Sequence, residues 1–367
     1  MSYVPPHKRH ENVSARASSV PPSLLTKHKN TKIIHANDFI SRWFLVGSEY
    51  NNSFQLVPVS SEWRRGSEDK PLVMLLKNDS SKLKTPWLWV AEKVENDLIL
   101  GFGRAKETLI RYASEDVNLR LIARFGKVVF NRSANSSETL RDDNLTKRVL
   151  EKFNKSIITN VPKSYVENIA YGVVPKMGFC VETTKKLYHV KVFDNTRLDI
   201  TNNINDSISI RRAELNALRH LNIDVSCLDQ DLDMRLSVDS KRTLTNLSEN
   251  EIKSLKELTD SAVIDPNVKG GLKWPLGKSS CGDRYSVCGV WHTVTNTYRN
   301  QTLRLQVLEA NRYDFRTGIG GTSREVFLKL RALSKLLKEE NGERKCVTGM
   351  LKDCLKTVWD YFLKTQV

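Results

Sequence analysis

The sequence has little of what the common catalytic motifs require. Its 367 residues include six cysteines, at 180, 227, 281, 288, 346 and 354, and none of them forms CxxC. Its seven histidines form no HExxH. These absences exclude the usual zinc spacings. There is no GxxxxGK[ST], no GxSxG and no GxGxxG. That excludes a P-loop, a nucleophile elbow and a dinucleotide fingerprint. No apolar run approaches the ~18 residues of a membrane helix. The N-terminus lacks an apolar signal core, so secretion is not expected. Sparse, scattered cysteine in a long chain fits a reduced compartment, and a cytoplasmic or nuclear location is expected.

Positive charge is what the chain has in excess. The net charge is +16. Residues 1–30 hold Lys8, Arg9, Arg16, Lys27 and Lys29 against Glu11, which leaves +12 for the remainder. A basic body points to anionic partners, RNA or other polyanions among them. Residues 1–30 also contain Pro5, Pro6, Pro21 and Pro22 and read as a disordered tail. A second part, 31–135, reads as α+β. A third, 136–367, reads as a β-rich domain with capping helices. The Ser/Asn-rich stretch Asn131–Arg141 marks the boundary between them.

Period-two alternation sets the fold class. Leu303, Leu305 and Val307 alternate with Arg304 and Gln306; Val326, Leu328 and Leu330 alternate with Glu325, Lys329 and Arg331. Tyr285, Val287 and Trp291 are assigned to the apolar side of a third strand. Further strands are expected at Trp43–Val46, Phe54–Val57, Leu72–Leu76, Leu187–Phe193, Ile223–Cys227 and Leu232–Val238. Gly318-Ile-Gly320-Gly321 fits a hairpin turn. The expected fold is α+β: a mainly antiparallel sheet, able to close into a barrel, with peripheral helices.

Helices are expected from Pro86 to Leu98, stopped or kinked at Gly101 and Gly103, and from Leu145 to Ile157, carrying a basic row of Lys147, Arg148, Lys152 and Lys155. Leu119–Ala123 and Lys127–Phe130 read as a hairpin around Gly126. Ser248-Glu-Asn-Glu251 is a capping box that opens another helix. An amphipathic helix with Val347, Leu351, Leu355, Val358 and Trp359 follows the late strands.

One constellation carries chemistry. Asp231-Leu-Asp233-Met-Arg235 puts two carboxylates and a guanidinium on one side of a strand, and Glu325 with Lys329 repeats the idea. Asp231, Asp233 and Glu325 are candidate ligands for a divalent metal. Arg235, Arg284, Lys329 and Arg331 are candidate phosphate ligands. Inside a closed barrel this is a polyphosphate site; outside, it is a salt-bridge ladder of small energetic value.

Several resemblances add to this. Tyr3-Val-Pro-Pro-His-Lys-Arg9 resembles an element near the N-termini of some DEAD-box RNA helicases, which implies a protein partner for residues 3–9. Over nearly its full length the chain resembles a family of plant proteins that begin Met-Ser-Tyr-Val-Pro-Pro-His-Lys-Arg. Further matches are Ile40–Phe44, GGLKWPLGK from Gly270, and GDRYSV with GVWHT from Gly282. That kinship implies no particular activity. Asp233-Met-Arg235-Leu-Ser237, Asp283-Arg284-Tyr-Ser286, Trp291–Thr295 and Glu325-Val-Phe-Leu occur in an order similar to strands of fungal-type, metal-dependent mRNA 5′-triphosphatases. This resemblance implies an eight-stranded tunnel. The family's second acid is Phe327 here, Gly282 replaces an expected lysine and Val294 an expected aspartate. The resemblance thus implies RNA or phosphate binding without strong catalysis. A metal-dependent phosphohydrolase and a protein-interaction scaffold stand as alternatives.

Overall fold

Strands form wherever apolar and polar residues alternate, and the apolar half of each alternation decides where the helices go. The structure, a computed structural model, describes residues 34–46, 54–63, 71–76, 84–111, 116–131, 145–193, 198–204, 208–215, 217–243, 247–281, 285–339 and 344–365. The expected tail with its Tyr3–Arg9 peptide lies outside these residues, and so does Arg284.

The first strands are β1 (Ile34–Val46), β2 (Phe54–Pro58), β3 (Leu72–Leu76), β4 (Asp116–Asn131) and β5 (Asn154–Ile158). Next come β6 (Cys180–Phe193), β7 (Leu198–Ile204), β8 (Ile208–Leu215), β9 (Leu218–Cys227) and β10 (Asp233–Thr243). Three two-residue strands follow: β11 (Val263–Ile264), β12 (Leu272–Lys273) and β13 (Ser280–Cys281). The last are β14 (Tyr285–Arg299), β15 (Leu303–Asp314) and β16 (Ile319–Leu330). The main helices are α1 (Pro86–Arg111), α2 (Glu249–Asp260), α3 (Arg331–Lys338) and α4 (Arg344–Tyr361). Among the described residues no helix is long and apolar enough to cross a membrane.

The architecture is the expected α+β with a mainly antiparallel sheet. Pairing runs in a circuit, β4–β10–β8–β7–β6–β14–β15–β16, and returns to β4. Two seams are thin. β8 meets β10 at the single pair Thr243–Glu214, and β16 meets β4 at three pairs. The sheet is curled and is not sealed into the regular barrel considered from the sequence. β9 pairs with β10 on one side and, in parallel, with β1 on the other.

The apolar positions share one side of the curl. Met234, Leu236 and Val238 of β10, Leu119, Leu121 and Ala123 of β4, and Val326 and Leu328 of β16 join one cluster. Leu303, Leu305 and Val307 of β15 join it too, together with Val94 and Leu98 of α1 and Leu351 and Leu355 of α4. Each fully buried side chain of this kind contributes about 1.5–3 kcal/mol. α2 covers β6 and β14 through Leu255 and Leu258, against Val190, Val192 and Val290. An eight-strand ring holds little more than side chains. The helices therefore lie outside the curl, and the polar face is the concave one.

The capping box forms as read: Ser248 Oγ accepts from the Glu251 backbone N–H at 3.3 Å, and the Glu251 carboxylate accepts from the Ser248 backbone N–H at 2.9 Å. Other readings are corrected. Neither Gly101 nor Gly103 stops α1. A Cβ on Gly101 would lie 2.9 Å from Leu221 Cβ, so that glycine serves helix-on-sheet packing. Gly126 makes no hairpin and sits inside continuous β4, where a Cβ would lie 2.0 Å from the Ile158 carbonyl oxygen. The helix expected over Leu145–Ile157 is one turn, Lys147–Leu150, followed by β5. Lys155 is no phosphate track: its Nζ donates to the carbonyls of Leu150, Glu151 and Phe153 at 2.8–2.9 Å. A register shift between Val287 and Gly289 reverses the faces of β14. Val290 then packs in the core, and Trp291, read as apolar-side, joins the concave face.

Candidate anion-binding site

β10 places Asp233, Arg235, Ser237, Asp239 and Lys241 opposite its apolar residues. Antiparallel β4 sets Arg124 beside Arg235 and Arg120 beside Asp239. One row of directly opposed residues then crosses six strands: Arg235, Arg124, Phe327, Gln306, Thr297 and Thr183. The next row brings Lys329 of β16 beside Ile122 and Arg304.

Asp239 is the hub of this wall and is fully buried. Arg120 Nε donates to its Oδ1 at 2.7 Å. Burial alone would raise its carboxyl pKa, but Arg120, Arg124 and Arg219 outweigh burial and hold it below the usual carboxylate range. Arg235 is taken by Asp224, with donor distances of 2.5 and 2.7 Å.

Three cations near this hub have no carboxylate partner among the described residues. Arg124 donates to Ser237 Oγ at 3.3 Å and lies over the Phe327 ring. Arg219 donates to Asn222 Oδ1 at 2.9 Å, while its Nε is buried without a hydrogen-bond partner. Lys329 is half-buried and forms no ion pair among the described residues. Burial, with Arg120 and Arg304 nearby, pushes Lys329 down to about 8. Burial and Arg124 push Arg219 down to about 10. Such shifts mark positive charge held close together in partly dry surroundings without enough counter-charge. Solvent still reaches the wall: the side chain of Arg120 is 22% exposed and that of Arg312 is 38% exposed.

The expected metal ligands are not brought together. Asp231 precedes β10 and accepts from the backbone N–H and hydroxyl of Thr365, both at 2.8 Å. Asp233 accepts from the backbone N–H groups of Val128 at 2.7 Å and Cys227 at 2.9 Å. Glu325 bonds Arg312 at 2.8 Å. Among the described residues no three His, Cys, Asp or Glu side chains gather as a metal site. The donor set present does not fit a divalent ion, because each of the three carboxylates already serves N–H or O–H donors elsewhere. Of the expected phosphate ligands, Arg235 and Lys329 share the wall. Arg331 instead opens α3 and is exposed. Arg120, Arg124, Arg219 and Asp239 were not picked out from the sequence, although Arg120 and Arg124 alternate with Leu119, Leu121 and Ala123.

A family model described as "Domain of unknown function (DUF7903)" matches residues 27–362. No curated protein sequence matches the chain. Among solved structures, the S. pombe Pct1 RNA triphosphatase is similar with a TM-score of 0.48 at 9% identity, over 75% of this chain and 92% of that one. The same enzyme in complex with the Spt5 CTD gives 0.46 at 10% identity, over 74% and 89%. The PH1012 protein of Pyrococcus horikoshii gives 0.26 at 8% identity, over 55% and 87%.

Proposed function

The chain belongs to the DUF7903 domain family, a membership that assigns no chemistry, and from the wall itself we propose that the protein binds a phosphate-bearing anion, RNA or a polyphosphate, on the concave face of its sheet. The observation that carries this reading is the trio Arg124, Arg219 and Lys329, cations without carboxylate partners among the described residues, beside a single buried hub, Asp239. Arginine forks match phosphate oxygens, and an anion relieves the mutual repulsion of the three groups. Asp239 holds Arg120 and, through its charge, keeps the neighbouring guanidiniums close. Their packing and orientation are therefore set before the ligand arrives. The role is binding without strong catalysis, since the carboxylates of the wall are already engaged, Asp239 and Glu325 by arginines and Asp233 by backbone N–H groups.

Calorimetric titration of inorganic tripolyphosphate into the full chain at pH 7 tests this. Arg124→Gln and Lys329→Gln should each weaken binding by about 10- to 100-fold, the worth of one charge-assisted hydrogen bond. If both variants melt like the parent and bind as tightly, the wall is not the site.

A further inference from the structure

We propose a second binding site, separate from the anion wall, in a gap between β3 and the rest of the sheet: there Lys127 and Asp233 hold the two ends of a small zwitterion, a free α-amino acid.

The gap is a break in a ladder. Phe54 of β2 exchanges backbone hydrogen bonds with Leu145 at 2.9 and 3.0 Å, so its pairing with Leu76 of β3 is of the non-hydrogen-bonded kind. By alternation, Leu72 and Met74 turn their backbone N–H and C=O away from β2 and toward β4. The β3–β4 ladder is nevertheless a single pair, Leu72–Phe130. Its next rung would join Met74 to Val128, but the Val128 N–H is given to the Asp233 carboxylate at 2.7 Å. The other Asp233 oxygen takes the Cys227 N–H at 2.9 Å. One side chain thus replaces the rung and leaves the Met74 peptide groups facing space. That space is a cavity of about 140 Å³, whose lining includes Met74, Lys127, Leu228, Gln230 and Asp233.

The lining carries both signs of charge. Lys127 is half-buried and has no hydrogen bond or ion pair among the described residues. Burial raises the Asp233 carboxyl, and the charge of Lys127 acts against that rise. Each Asp233 oxygen accepts one N–H and keeps room for a second donor. Gln230 Oε1 is buried without a hydrogen-bond partner, while its amide nitrogen donates to Asp229 at 3.0 Å. A buried acceptor left unpaired calls for a donor. A cation and a carboxylate that share a cavity without pairing are bridged by a ligand that carries both charges. Its carboxylate meets Lys127, and its ammonium meets Asp233 and Gln230 Oε1. A phosphate leaves those acceptors unused and sets its charge against Asp233. A metal ion is repelled by Lys127. The volume, that of about five waters, limits the ligand to a small amino acid such as glycine, alanine or serine.

The test is calorimetric titration of glycine and L-alanine into the full chain at pH 7, with propionate and ethylamine as controls that carry one charge each. L-alanine should bind about 10- to 100-fold tighter than either control, the worth of one charge-assisted hydrogen bond. Lys127→Met removes the cation and keeps the stem. It should weaken L-alanine by a similar factor and leave tripolyphosphate affinity unchanged, because Lys127 is not part of the wall. Gln230→Met should weaken L-alanine by about 10-fold. Propionate that binds as tightly as L-alanine overturns the zwitterion. So does a Lys127→Met variant that melts like the parent and keeps its L-alanine affinity. No heat from glycine or L-alanine at about 10 mM, ten times a millimolar Kd, overturns the site and leaves the anion wall standing.

Discussion

Replacing Asp239 with asparagine isolates the electrostatic hub from its packing. The side chain keeps its shape and loses its charge. Arg120, 2.7 Å away, is then left without a counter-ion. Arg124 and Arg219 lose the nearest negative charge that offsets their mutual repulsion. Removing one partner of a buried pair costs about 3–5 kcal/mol. Arg120 keeps some solvent access, so the lower figure applies. In a chain of this size about 3 kcal/mol lowers the melting temperature by about 4 °C. Circular dichroism melts of parent and variant measure it. The difference should depend on pH. Asp239 is held below its unfolded value near 3.9, so its stabilisation is fully present above that pH and fades as acid protonates the folded carboxyl. The two melting curves should therefore converge on acidification. A variant that melts within about 1 °C of the parent at pH 7 refutes the role given to Asp239.

Two further outcomes are expected. Lys329, titrating at about 8, must be protonated to hold an anion. Tripolyphosphate affinity should fall as pH rises past 8, and Lys329→Arg should flatten that profile; a slope that Lys329→Arg leaves unchanged assigns the titration to another group. Gly126→Ala puts a methyl group 2.0 Å from the Ile158 carbonyl oxygen, a clash with backbone. It should destabilise by about 2 kcal/mol or more, whereas Gly103→Ala, which has open space around it, should be neutral or slightly stabilising; equal melts for the two variants would argue against the close β4–β5 approach.

Much of the sheet was legible because alternation is a local signal. β15 and β16 read directly, and so did the capping box of α2. The site was less legible, because its members come from distant stretches. Asp239 lies one residue past the expected end of its strand, and nothing in the sequence says that it meets Arg120 of β4. The Gly126 reading split β4 in two, which hid the Arg120–Arg124 alternation beside β10. A one-residue shift before Gly289 moved Trp291 to the other face, and such a shift leaves no mark in composition. Asp231 and Asp233 looked like a pair only because they are two residues apart. Backbone donors from Thr365, Val128 and Cys227 claim them separately, and sequence spacing cannot show that.

α4 and the residues just after it are stitched to segments that are synthesised well before them. Phe362 stacks on Phe125 at 5.3 Å, its carbonyl accepts from Tyr165 at 2.8 Å, and Leu363 accepts from the Leu232 backbone. A ribosome making this protein releases β4 more than two hundred residues before the segment that covers it. The earlier segments must wait with apolar surface uncovered, a high-contact-order state open to chaperones and to aggregation. Expression yield should therefore respond more to changes near Phe362 than to changes in the exposed loops.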